Sequence, residues 1–219
     1  GIRSQPRSRW LGDVYKRQQL TEAAGLVNVL RKLTKLRELN LGGNQLTDAK
    51  DLATLSQLTT LVLSANQLTN TIDLGNLTNL NVLWLDNNNL TNTRHLEKLT
   101  KLNQLNLSYN RLTNAEGLDK LGELTILRLD GNQLHNLQSL KNLTQLTELH
   151  ANNNKLSDVK ELSENTRLTG LYLNNNIINS VKDLGNLKQL TILSLNNNPD
   201  LTKAQIDRLQ MALPNCKII

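Results

Sequence analysis

Phenylalanine is absent from this chain of 219 residues, and aromatic side chains make up only 2% of it. That is thin for an ordinary globule, whose core leans on such rings. A single cysteine excludes a disulfide framework and a cysteine-rich zinc site. No apolar run approaches the ~18 residues that a membrane-spanning helix needs, and no glycine-rich phosphate loop is present. Apolar residues still total 38%, enough for a sizeable core. Leucine and asparagine dominate instead, a bias that signals repetition rather than disorder.

The formal charge of +6 would ordinarily suggest a nucleic acid or a membrane surface. Much of it sits in residues 1–18, GIRSQPRSRWLGDVYKRQ. Asp13 to Gln18 back-translate with natural codons to GATGTGTATAAGAGACAG, which resembles the end of a transposase-based sequencing adapter. In the same frame the adapter would give Ser-Arg-Gly-Leu-Gly where Ser8 to Gly12 stand, and Gly-Ile-Arg-Asp where Gly1 to Ser4 stand. Residues 1–18 are therefore expected to be a translated artefact rather than a natural basic leader, and they are set aside. Without their five basic residues and one acidic residue, 20 basic face 18 acidic, a net of +2. That balance gives no electrostatic case for nucleic acid.

The rest is a repeat of 22 residues. Leu36, Leu58, Leu80, Leu102, Leu124, Leu146, Leu168 and Leu190 fall in register, and each opens the pattern LxxLxLxxNxL with few departures. The asparagine is present in every copy: Asn44, Asn66, Asn88, Asn110, Asn132, Asn154, Asn176 and Asn198. The LxL segment has a period of two, so it predicts a short strand with alternate leucines facing a core. One unit cannot bury its own apolar face, whereas stacked units share a continuous one. The asparagine stands where the chain leaves the strand, and its amide both donates and accepts. A row of such residues predicts a buried structural ladder.

The motif resembles leucine-rich repeats, and the 22-residue period is similar to the subfamily shared by bacterial internalins and a eukaryotic phosphatase regulator. The resemblance implies an α/β solenoid: a leucine-rich-repeat horseshoe with a parallel β-sheet on the concave face. The roughly dozen residues of return path predict short 3₁₀ or turn segments on the convex face. The repeats are expected over residues 19–201 and a C-terminal cap, helix plus final strand, over residues 202–219. Thr202 and Gln205 have capping-box spacing, Leu201 and Ile206 can staple across it, and Cys216 takes a leucine position as a buried thiol. Gln19-Leu20-Thr21 reads as the tail of an earlier copy, followed by a step to Leu30 four residues longer than its equivalent. The solenoid is thus expected to have continued upstream, which leaves this piece without an N-terminal cap. Ala151 and Asn165 replace core leucines in repeat 146–167, which predicts the softest point of the stack.

Repeat positions 3, 5, 7 and 8 are left for the concave face. All three aromatic residues beyond residue 18, Trp84, Tyr109 and Tyr172, fall there and not at leucine positions. With Arg128 and His150 they form a candidate partner-binding patch, bordered by Asp86 and Asp130. Glu148 and His150 share a strand face, a pairing suited to general acid–base work. No nucleophile or oxyanion site accompanies them, no ligand spacing supports a metal, and no cofactor is expected. The sequons at Asn76, Asn89, Asn106 and Asn142 arise from the repeat itself. The function this resemblance implies is protein–protein interaction through the concave face, by a monomer, without nucleic acid or membrane insertion. A structural spacer of a longer surface protein, or a scaffold beside a catalytic domain upstream, are the alternatives. The sequence assigns no compartment.

Overall fold

The computed structural model describes residues 19–21, 32 and 34–219. The adapter-like residues 1–18 and the insertion between Leu20 and Leu30 lie outside the described residues. Short strands recur once per repeat: β1 Glu38–Asn40, β2 Thr60–Val62, β3 Val82–Trp84, β4 Gln104–Asn106, β5 Ile126–Arg128, β6 Glu148–His150, β7 Gly170–Tyr172 and β8 Ile192–Ser194. A last strand, β9 (Lys217–Ile218), closes the described sheet, which is parallel throughout and ordered as in the sequence. The register is the repeat itself, with Leu39 opposite Leu61 and Leu127 opposite Leu149.

Between strands the chain returns through 3₁₀ turns, from Lys50–Thr54 in the first repeat to Lys182–Asn186 in the seventh. Five residues or fewer per turn is what so short a return allows. Leucines at repeat positions 1, 4, 6, 11, 17 and 20 are buried, and each contributes on the order of 2 kcal/mol. Position 14, which carries no leucine signature, is buried as well. It holds Ala49, Thr71, Thr93, Ala115, Leu137, Val159 and Val181. Thr93 is admitted because its hydroxyl donates to the Glu116 carbonyl at 2.7 Å.

The repeated asparagines are linked to neighbouring backbone groups from one repeat to the next. Asn66 Nδ2 donates to the carbonyls of Leu41 and Leu63, both at 3.0 Å, while its Oδ1 accepts the Leu46 N–H at 3.0 Å. Each such residue therefore ties its own repeat to the one before it, and all eight are nearly fully buried. Their function is to satisfy backbone groups that the strand exit leaves without partners.

At the C-terminus, helix α1 (Lys203–Ala212) carries the capping box. Gln205 N donates to Thr202 Oγ1 at 3.3 Å, and Thr202 N donates to Gln205 Oε1 at 2.8 Å. Leu209, Leu213 and Cys216 are buried against the last repeats. Burial pushes the Cys216 thiol up, so it packs as a small apolar group rather than as a nucleophile. Among the described residues no helix is long and apolar enough to cross a membrane.

Candidate functional site

Strand alternation turns repeat position 5 outward on every strand. Trp84, Asn106, Arg128, His150 and Tyr172 stand side by side on β3 to β7, each opposite the next. Parallel strands lie about 4.8 Å apart, so these side chains form one row across the sheet. Trp84 is 43% exposed and Tyr109 56%, whereas Tyr172 and His150 are half-buried.

Three of these residues, Arg128, His150 and Tyr172, form a block with a fourth, Glu148. Arg128 donates to Glu148 Oε1 at 3.0 Å, and the same oxygen is hydrogen-bonded to His150 Nε2. A carboxylate only accepts, so Nε2 carries the proton. His150 Nδ1 lies 4.0 Å from Asp130 Oδ2, beyond hydrogen-bond reach. The imidazole stacks on Tyr172, with ring centroids 4.3 Å apart and planes at 17°. Tyr172 itself leans over Gly170, whose missing Cβ would stand 3.3 Å from the Tyr172 ring. Partly exposed ion pairs contribute at most about 1 kcal/mol, so the block holds its side chains in place more than it stabilises the fold. The sequence reading left Glu148 out of the partner-binding set. The structure makes it the centre of the block, and the strand face it shares with His150 two residues on was the available signal.

Position 7 does more than line the face. Asp130 Oδ1 accepts the Asn152 N–H at 2.8 Å and the Asn152 side-chain amide at 2.7 Å. Asn152 and Asn174 repeat the move, each accepting the N–H of the next repeat's position 7 at 2.8 Å. In the repeats opened by Leu36 and Leu102, Asn40 and Asn106 at position 5 accept that N–H instead. The second ladder thus relieves position 5 of capping and leaves it to His150 and Tyr172. Asp86 is held from three sides, by the Ser64 hydroxyl at 2.6 Å, Asn106 Nδ2 at 3.0 Å and Asn87 Nδ2 at 2.9 Å.

Position 8 adopts left-handed backbone in all eight repeats. Glycine and asparagine fill most of these places, as that conformation favours. Tyr109 is there too, with φ 55°, and its ring lies where a Cβ on Gly131 would stand, 2.5 Å from Tyr109 Cδ1. A bulky residue is disfavoured in this conformation. Tyr109→Asn is therefore expected to raise stability by about 1 kcal/mol in urea unfolding. An equal loss would show that the ring's packing on Gly131 outweighs the strain.

Among the described residues no group of histidine, cysteine, aspartate or glutamate side chains has metal-binding geometry. The Glu148–His150 pair has no nucleophile beside it in the hydrogen bonds it makes.

Residues 34–77 match the family model for leucine-rich repeats in two copies. No curated protein matches the chain in sequence. Among solved structures, internalin C2 from Listeria monocytogenes is similar over 81% of this chain and 78% of its own, at 32% identity and a TM-score of 0.75. The functional domain of InlJ from the same organism, which includes a cysteine ladder, matches at 26% identity and a TM-score of 0.64, over 74% of this chain and 39% of its own. The ectodomain of the plant receptor kinase GASSHO1/SCHENGEN3 from Arabidopsis thaliana matches at 30% identity and a TM-score of 0.65. This chain covers 21% of that ectodomain, which was crystallised with CASPARIAN STRIP INTEGRITY FACTOR 2. Repeat length, leucine register, 3₁₀ returns and the extent of the internalin C2 match agree: the chain belongs to the internalin-like leucine-rich-repeat proteins.

Proposed function

We propose that the chain is a binding module that takes a protein partner on its concave face. Trp84, Tyr109, Arg128, His150 and Tyr172 make the contact, with Asp86 and Asp130 at its border. The carrying observation is that exposed Trp84 stands on β3 in the same row as the Arg128–Glu148–His150–Tyr172 block, with Tyr109 exposed where the chain leaves β4. Trp, Tyr and Arg are the residue types that dominate interface energetics. Side chains already held by a sheet lose little freedom on association. The complex of the plant receptor ectodomain with CASPARIAN STRIP INTEGRITY FACTOR 2 supports reading this fold as a recognition scaffold. The role is binding rather than catalysis.

The test is a phage-displayed library of random peptides selected on the full chain. Enriched peptides are expected to lose about tenfold or more in affinity for the Trp84→Ala/Tyr172→Ala variant, with its melting temperature nearly unchanged. Peptides that bind the double variant as tightly as the parent would move the binding surface elsewhere and defeat this reading.

A further inference from the structure

Trp84 is a ridge between two hollows of unlike chemistry. One, of about 290 Å³, lies towards β5 and is lined by Gln104, Leu105, Asn106, Ile126 and Arg128. Its only charged residue among the described residues, Arg128, is already paired with Glu148. The other, of about 350 Å³, lies towards β1. It is lined by Gly42, Gly43, Val62 and Ala65, and among the described residues Asp86 is its only charged lining residue. A Cβ at Gly42 would be a close fit there, 3.1 Å from Asn40 Oδ1 and 3.3 Å from the Ser64 carbonyl oxygen.

Among the described residues Asp86 has no cationic partner within ion-pair distance. Its carboxylate has about four acceptor sites. Three are used, two on Oδ1 by Ser64 and Asn106, and one on Oδ2 by Asn87. These bonds fix the group and leave one acceptor on Oδ2. A carboxylate so held, in a hollow shared with an indole, Val62 and Ala65, suits a side chain with an apolar stem and a cationic head. One free acceptor suits the point donor of an ammonium better than the two-pronged guanidinium.

We propose that the Trp84–Asp86 hollow is a specificity pocket for a lysine side chain of the protein partner. The pocket rests on the concave-face reading and names the chemistry that face selects. The lysine stem lies on Val62 and Ala65, and its ammonium reaches Asp86 Oδ2 beside the Trp84 ring.

The test uses three blocked tripeptides, acetyl-Gly-Lys-Gly-amide and its norleucine and arginine counterparts, titrated into the full chain. The readout is the indole N–H signal of Trp84, with the signal of Trp10 as reference. The lysine peptide is expected to shift Trp84 saturably, with a Kd of about 10 mM. Norleucine, the same stem without charge, is expected to bind at least tenfold more weakly, and arginine more weakly than lysine. Asp86→Asn is expected to remove the difference between lysine and norleucine. Equal binding of lysine and norleucine, arginine binding as well as lysine, or no shift with any peptide, would overturn the pocket. The concave-face reading fails separately, through selected peptides that tolerate the loss of Trp84 and Tyr172.

Discussion

Asn132→Ala is expected to cost about 3 kcal/mol, close to the largest single effect that one buried polar side chain produces. Asn132 Nδ2 donates to the Leu107 carbonyl at 3.0 Å and the Leu129 carbonyl at 3.1 Å. Its Oδ1 accepts the Leu112 N–H at 3.0 Å. The two carbonyls keep a second donor each, from Asn110 and Asn154. The Leu112 N–H has no such reserve among its backbone bonds and becomes a buried donor without an acceptor. One orphaned group accounts for about 1–3 kcal/mol, and the void left by the amide adds to it. Asn132→Asp keeps the shape and the acceptor but places carboxylate oxygen against two carbonyl oxygens. It should do no better than alanine at neutral pH. It should recover as pH falls, because the protonated acid donates one bond. The folded pKa then lies above the unfolded one, so the folded state binds more protons and stability declines as pH rises. Urea unfolding of both variants across acidic pH, read against the parent, decides it. An alanine variant within about 0.5 kcal/mol of the parent would mean that the ladder is ornamental.

Much of this architecture was legible in the leucines, because a solenoid repeats one local decision. The strand positions, the asparagine ladder and the capping box at Thr202 each follow from residues within one repeat of each other. What stayed hidden depends on contacts between copies. Thr93 carries no signature in the repeat, and its burial depends on the Glu116 carbonyl of the next repeat accepting its hydroxyl. Asp130 reads as a free border charge, yet it is the first rung of a second ladder that caps Asn152. Tyr109 was picked out as an exposed ring, but its left-handed backbone is a property of where the chain leaves the sheet. The candidate face was therefore visible as a set of residue types, and its internal wiring through Glu148 was not. Binding surfaces on repeats have this character, since the positions that stacking leaves free carry no periodic signal.

Asn165→Leu is expected to raise stability by about 2 kcal/mol, the reverse of the usual outcome of a core substitution. Position 20 is a buried leucine in the neighbouring repeats, as at Leu121, Leu143 and Leu187. Asn165 is equally buried, and its Oδ1 has no hydrogen-bond partner. Its Nδ2 donates to the Leu140 carbonyl at 3.1 Å and the Leu143 carbonyl at 2.9 Å. Those carbonyls already accept the N–H groups of Leu143 and Leu146, so losing the amide orphans neither. Leucine there removes an unsatisfied acceptor and adds apolar burial worth about 2 kcal/mol. Crowding of a site shaped for a smaller side chain offsets part of the gain. The same repeat carries Ala151 at a leucine position, fully buried, so local opening should concentrate there. Amide exchange is expected to be faster over residues 146–167 than over 80–101 in the parent, and the contrast should shrink in Asn165→Leu. Uniform protection in the parent would show that the repeat is no softer than its neighbours. A loss of stability in the leucine variant would assign the amide a different role, as a clip on the short turn Gln138–Leu140 of the preceding repeat. The two outcomes have opposite signs, so a single unfolding curve separates them.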